Sequence, residues 1–303
     1  MKKLVIILCV ILAAGIVLAV TGMIVYTATG GADMSKYEPM QQKADASEVK
    51  TIKVKCAIEQ ITVKAIDGNE VVFDYFEGSK LKHDFTAENG EIAMTIEKMS
   101  WFFGFWWGFD TSKLIMSVGV PRDFAGEIDV YTETGKVEVA DLKNLKRIEA
   151  TATTGSVSCA NVKAESGKFE ATTGSVKLGN VEMSEKFEVK TTTGNITTEN
   201  VKCGGDFSAV VTTGSLKCSV DAKTVFLKST TGGVTFDIGN ATSITAKCTT
   251  GSVKGIVHGD RKEFDIKSHT TTGKSNLTEA YGNGGKKLEV STTTGSISVD
   301  FTD

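Results

Sequence analysis

The sequence is poor in the groups from which catalytic and metal centres are usually built. Its three histidines, His83, His258 and His269, are scattered, with no second ligand at a metal-binding spacing along the chain. No carboxylate cluster recurs at one position, as a polysaccharide lyase or hydrolase would need, and the turns lack the aspartates of calcium-binding repeats. Gly273-Lys274-Ser275 resembles the end of a phosphate-binding loop, but Ser268 stands where the upstream glycine belongs. There is no basic excess: the net charge is −3 and the pI about 5.8, which removes the electrostatic ground for nucleic-acid binding. Catalytic, cofactor-binding and metal-ligating residues are therefore expected to be none, and the chain is expected not to be an enzyme. Only two prolines accompany 31 glycines, a balance that suits many strands joined by tight turns.

One long apolar run is present. Leu4 to Tyr26 covers 23 residues behind Met1-Lys2-Lys3, enough to cross a bilayer core as a helix. Two lysines before the run and none within it favour a cytoplasmic N-terminus, with residues 27–303 outside the cytoplasm of a single-pass cell-membrane protein. A cleaved signal peptide is the competing reading; its apolar region is usually shorter, about 7–15 residues. Cys9 lies in the run without a lipidation box. Residues 27–48 hold Gly30, Gly31 and Pro39 and no aliphatic periodicity, and read as a linker.

The dominant feature is Thr-Thr-Gly-Ser followed by an aliphatic residue. Its glycines are Gly135, Gly155, Gly174, Gly194, Gly214, Gly232, Gly251, Gly273 and Gly295, at gaps of 20, 19, 20, 20, 18, 19, 22 and 22 residues. A period near 20 residues marks a solenoid. Aliphatic or aromatic residues recur seven before most of these glycines (Ile128, Ile148, Phe187, Phe207; Gly167 is the exception), five before (Val130, Phe169, Leu227; Ser268 is the exception) and two after (Val137, Val157, Ile196, Leu216). In the eighth repeat an insertion gives the last role to Leu277. Between them stand charged or polar residues, so one face points in and one out. The threonine directly before glycine is expected to form an inward ladder. Asp141, Asn161, Asn180 and Asn200, six after their glycines, are expected at a second corner with positive φ. The fold class is thus all-β: a single-stack parallel β-solenoid (β-helix) of about 20-residue Thr-Thr-Gly-Ser coils, preceded by a transmembrane helix. Stacked at about 4.8 Å, nine coils would reach about 40 Å. Cys159, Cys218 and Cys248 fall at core positions and are expected as free thiols.

Residues 127–303 form the regular repeats, and 49–126 a β-rich N-terminal part or cap. Within the latter, Ile52, Val54 and Cys56 alternate with polar residues, and Asp67-Gly68 and Asn89-Gly90 mark turns. Residues 101–109 interrupt the pattern with Trp101, Phe102, Phe103, Phe105, Trp106, Trp107 and Phe109, which hold all three tryptophans. This aromatic loop reads either as a plug over the open solenoid end, as an interfacial loop near the membrane, or as a protein-binding patch.

One N-terminal membrane segment, the lead-in Val118-Gly119-Val120-Pro121-Arg122-Asp123-Phe124 and the repeated Thr-Gly-Ser-Val coils together resemble the bacterial putative-adhesin family, a domain of unknown function on anchored envelope proteins. The resemblance covers about residues 50–303. It implies a surface role without catalytic residues, and some members are associated with envelope-stress operons. Two functions follow. One is a membrane-anchored, extracytoplasmic protein that binds cell-wall glycan or another envelope protein through the outward row Thr153, Thr172, Thr192, Thr212, Thr230, Thr249, Thr271 and Thr293. The other is a structural or regulatory envelope-stress component acting through a protein partner or by self-association, since the C-terminal coil, Thr294 to Phe301, is expected to leave an open β edge. Charges in the neighbouring outward row, such as Glu170 and Lys190, argue against an ice-binding face.

Overall fold

A computed structural model describes residues 37–78, 81–99 and 114–302. The chain opens with β1 (Glu38–Asp45), β2 (Thr51–Cys56), β3 (Gln60–Ile66), β4 (Glu70–Glu77), β5 (Leu81–Glu88), β6 (Glu91–Met99) and β7 (Ile115–Pro121). The repeats supply β8 (Glu127–Thr134), β9 (Val137–Ala140), β10 (Leu145–Thr154), β11 (Val157–Thr173), β12 (Val176–Thr193), β13 (Ile196–Thr213) and β14 (Leu216–Thr231). They continue with β15 (Val234–Gly239), β16 (Ser243–Thr250), β17 (Val253–His258), β18 (Phe264–Thr272), β19 (Lys286–Thr294) and β20 (Ile297–Thr302). The stack is a parallel β-solenoid.

Each regular coil pairs with the next in three stretches. In β12 and β13 these run Val176–Gly179 on Ile196–Glu199, Val181–Met183 on Val201–Cys203, and Lys186–Thr191 on Asp206–Val211. The breaks have local causes. Asn161, Asn180 and Asn200 hold φ of 56°, 54° and 53°, Asp141 holds 62°, and Asn240 and Asn89 join them at 52° and 53°. Asparagine tolerates this left-handed geometry. The corner asparagines also bond to one another: Asn180 Nδ2 donates to Asn161 Oδ1 at 3.1 Å, and Asn200 Nδ2 to Asn180 Oδ1 at 2.8 Å. At the other corner Gly174 and Gly194 hold φ of 148° and 146°. A Cβ at Gly194 would lie 2.0 Å from the Gly174 carbonyl oxygen.

The interior is filled from the expected positions. Ile148, Phe187, Val130, Leu227, Val157 and Leu216 are all buried, as is Leu277 in the modified repeat. Stacking puts Phe187 on Phe207, edge to face with centroids 5.4 Å apart, and Phe169, two residues along in the neighbouring coil, turns its ring to Phe187 at 5.7 Å over Gly167.

At both ends the order in space departs from the order in the chain. Before the glycine corner, the neighbours run β5–β6–β2–β8–β10 and finish β14–β16–β19–β18. After it they run β1–β4–β7–β3–β9 and finish β14–β15–β17–β20. The coil β2–β3, first in the chain, is therefore covered by β6 and β7. The coil β19–β20, last in the chain, stacks on β16–β17, and β18 lies outside it.

Two expectations are corrected here. Residues 27–48 are not a linker throughout, because Glu38–Asp45 is β1, paired antiparallel with β4. Nor is the edge of the C-terminal coil left fully open. The insertion after Gly273 folds over it: Ile297 N donates to Lys274 O at 2.8 Å, and Asn276 N to Ile297 O at 3.2 Å. The Asn276 side chain then imitates a strand, accepting from Val299 N at 2.9 Å and donating to Val299 O at 3.1 Å. On the outer edge of β18, Ala280 exchanges both backbone bonds with Ile266.

The glycine corner predicts a contrast between two substitutions. Gly194→Ala forces a methyl group into the neighbouring carbonyl at a φ closed to L-residues, and should destabilise the fold by about 3–5 kcal/mol. Gly179→Ala, with nothing within 4 Å of its Cβ, should stay within about 0.5 kcal/mol. Urea unfolding followed by circular dichroism measures both; equal midpoints would refute the steric account.

Candidate functional site

The outward corner is built by the way each strand enters it. Pairing skips the residue two before glycine: Ala171 pairs with Thr191 and Thr173 with Thr193, while Thr172 is left out of the register. That residue projects, and Thr153, Thr172, Thr192, Thr212, Thr230, Thr249, Thr271 and Thr293 are all exposed. The expected inward ladder of the next threonine does not form, since Thr154, Thr173, Thr193, Thr213, Thr231, Thr250, Thr272 and Thr294 are exposed too. The inward hydroxyl sits one step earlier, three before glycine. There Thr191 donates to Gly174 O at 2.8 Å, Thr292 to Gly251 O at 2.9 Å and Thr270 to Gly295 O at 2.9 Å, and Cys248 makes the same contact to Gly232 O at 3.2 Å. Each satisfies a carbonyl that the tight corner turns away from the ladder.

Serine or asparagine after the glycine is engaged between coils. Ser175 Oγ accepts from Asn195 N at 3.2 Å, Asn195 Oδ1 from Ser215 N at 2.8 Å, and Ser252 Oγ from Ser296 N at 3.3 Å. The outward part of the corner is thus a double row of threonine hydroxyls and methyls, repeating at about 4.8 Å along the rod, with the Thr153 hydroxyl 3.1 Å from the Tyr131 hydroxyl.

The face beside it is charged but internally balanced. Lys168 Nζ bridges Glu149 at 2.6 Å and Glu170 at 3.6 Å, Lys190 reaches Glu170 at 3.2 Å, and Arg147 pairs with Glu127 and Glu149. The Glu149 hydrogen bond holds the Lys168 ammonium above its usual range, whereas burial, with Glu149 nearby, pushes the Asp129 carboxyl up. Such mutual pairing leaves no single-sign field to steer a polyanion. Near the C-terminal end a shallow groove of about 450 Å³ crosses the strands that follow the glycine corner, bordered by Lys217, Asp237, Lys254, Ile256 and Asp300.

A separate polar cluster is buried at the N-terminal end. Register aligns Cys56 with Thr132 and Ile61 with Val137, so Glu59 occupies the slot that Gly135 fills in the next coil. Thr132 Oγ1 accordingly donates to the Glu59 carbonyl at 3.1 Å. Glu59 and Cys56 are each 1% exposed and His83 8%. His83 Nε2 stands 2.7 Å from Glu59 Oε1, Ile58 N donates to Glu59 Oε2 at 3.0 Å, and the Tyr75 ring meets the imidazole edge-on at 4.9 Å. The ligand-capable atoms of Cys56, Glu59 and His83 all lie within 4.8 Å of one another.

The family model described as Toastrack DUF4097 matches residues 49–300. The chain belongs to the Toastrack DUF4097 family. This is the putative-adhesin domain of unknown function whose features the repeats resemble. Two solved structures are similar to it. One is a putative cell adhesion protein from Clostridium sporogenes, 11% identical over 88% of this chain and 100% of that one, with a TM-score of 0.31. The other is a putative adhesin from Bacteroides fragilis, 15% identical over 87% and 97%, with a TM-score of 0.48. No curated protein matches the chain.

In this Toastrack chain, the apolar run 4–26 and the aromatic residues Trp101, Phe102, Phe103, Phe105, Trp106, Trp107 and Phe109 lie outside the described residues. Among the described residues no helix is long and apolar enough to cross a membrane. The reading that left His83 without a second ligand missed the cluster, because its members come from β2, a corner and β5. The available signal was the register of the first coil, in which a glutamate replaces the corner glycine.

Cys56, Cys159, Cys203, Cys218 and Cys248 are free and buried. Burial raises their thiols, pushing Cys218 up to about 12 and Cys159 well above its usual value. At pH 8 the thiolate fraction at Cys218 is about one in 10⁴. Ellman's reagent should therefore find these five silent in the native chain and reactive in guanidinium. Rapid native reaction of several thiols would refute this burial.

Proposed function

We propose that this Toastrack protein is a non-enzymatic, membrane-anchored β-solenoid outside the cytoplasm that binds cell-wall glycan or another envelope component along its threonine corner. The observation that carries the reading is the double threonine row: exposed, regularly spaced, and mounted on a corner whose backbone is fixed by the stacked glycines. Rigid mounting lowers the ordering cost of a repetitive contact, and hydroxyls with adjacent methyls suit the mixed polar and apolar surface of a sugar chain. The sequence of residues 4–26 supports the anchor. The alternative of an envelope component acting by self-association has less free edge to use than a bare last coil would offer, since β19 is paired on both sides and Asn276 occupies part of the β20 edge. A protein partner on the same corner remains the second form of this reading.

Retention on purified cell wall tests the proposal. Thr192→Glu together with Thr212→Glu changes exposed side chains and should leave stability within about 1 kcal/mol. The double variant should lose retention about tenfold, equal to about 1.4 kcal/mol. No retention of the unaltered chain, or retention unchanged by both substitutions, would overturn the glycan form. Alkaline carbonate extraction checks the anchor: the protein should stay with the membrane pellet.

A further inference from the structure

The buried cluster beneath β5 has the composition of a metal centre rather than of packing. Three donors of different kind converge there, a thiol, a carboxylate and an imidazole, within 4.8 Å of one another. They come from separate parts of the chain: Cys56 ends β2, Glu59 holds the corner, and His83 reaches in from β5, which covers the end of the stack. The side chains of His83 and Glu59 are 0% and 2% exposed. Burying a carboxylate, in the slot that the next coil fills with Gly135, together with an imidazole is costly unless their charges are compensated.

The imidazole supplies the second observation. His83 Nδ1 is buried without a hydrogen-bond partner. Its nearest acceptor is Glu77 Oε1 at 3.6 Å, and Glu77 is itself held by the His83 backbone N–H at 2.8 Å. With neither nitrogen on a metal, one end of the ring stays unsatisfied. If Nε2 coordinated a cation, the proton would reside on Nδ1, facing the Glu77 carboxylate. That is the carboxylate–histidine–metal arrangement that orients ligating imidazoles.

We propose that Cys56, Glu59 and His83 bind a divalent zinc-class ion that clamps β5 onto the first coil. Thiolate and carboxylate together balance the charge of the ion, and the S, O and N donor set is one that zinc accepts. Adjacent ligands in a tetrahedral site lie about 3.3–3.6 Å apart, given metal–ligand bonds of about 2.0–2.3 Å. The 2.7 Å between His83 Nε2 and Glu59 Oε1 must therefore open by about 0.6 Å, and the Cys56 sulfur, within 4.8 Å of both donors, has at most about 1.2 Å to close. Binding displaces the Cys56 thiol proton and forms the metal–sulfur bond in its place, so uptake releases a proton. Three protein ligands leave one tetrahedral position.

The test uses the full chain, purified in detergent without a histidine tag and stripped with chelator. Zn²⁺ and Co²⁺ are the probes. One equivalent of Zn²⁺ should survive dialysis and raise the unfolding midpoint. Co²⁺ should give tetrahedral ligand-field bands and a near-ultraviolet thiolate-to-cobalt charge-transfer band. Cys56→Ser should abolish the charge-transfer band, His83→Gln should weaken Zn²⁺ binding at least about tenfold, and Cys203→Ser, a buried thiol elsewhere, should change neither. The unaltered chain decides the matter if a variant fails to fold: substoichiometric Zn²⁺ with an unmoved midpoint, or cobalt bands lacking the thiolate transition, overturns the proposal. So does a charge-transfer band that persists in Cys56→Ser.

Discussion

The close approach of one coil's corner to the next is the constraint on which the rest of this solenoid depends. At Gly155, Gly174, Gly194 and Gly214 a Cβ would lie within 2.0 Å of the neighbouring glycine's carbonyl oxygen. Only glycine fits there, so the chain returns a glycine to the same place from Gly135 to Gly295, while the first coil, with Glu59 in that slot, departs from it. Residues at fixed offsets from it are then stacked on their own kind. The phenylalanine column, the asparagine column and the inward hydroxyls that bond corner carbonyls all follow from that single alignment. Tight stacking also explains why hydroxyls are needed inside: a carbonyl turned out of the ladder at the corner must find a donor, and the residue three before glycine is the one within reach.

Core positions and the second corner were legible in the sequence because they depend on local periodicity and on the backbone preferences of asparagine and glycine. The orientation of the last threonine was not. Strict alternation inward at seven, five and three before glycine would carry one before glycine inward as well. The strand instead yields one residue at the corner, leaving Thr172 out of register and shifting Thr173 outward. Alternation fails where the backbone stops being a flat strand, and no side-chain pattern announces that point.

Neighbour order at the ends was illegible for a different reason. Coils that resemble one another present nearly equivalent partners, so the sequence does not say whether β19 stacks on β18 alone or enters between β16 and β18. Register within a coil is strongly specified by which residues face inward. The order of coils is specified only by departures from the repeat. At the C-terminal end that departure is the longer spacing from Gly273 to Gly295, whose extra residues reach back so that Asn276 bonds to the edge of β20 and Ala280 to that of β18.

The two ends solve one problem with different chemistry. A parallel stack has unpaired backbone at each end, and covering it converts a template for further strands into a boundary. Asn276 does this with a neutral amide that copies the donor and acceptor of a peptide group. At the N-terminal end β5 runs antiparallel on β6, and the aligned slots of the first coil hold Cys56 and Glu59 in place of threonine and glycine. The glutamate keeps its carbonyl in the corner column, where Thr132 binds it, and sends its carboxylate to His83. The same two positions thus serve the repeat through their backbone and the cap through their side chains. In a solenoid, where each coil contacts only its neighbours, stability at the ends governs how readily unfolding enters the array. Polar groups concentrated under the cap therefore act where their effect on the whole rod is greatest.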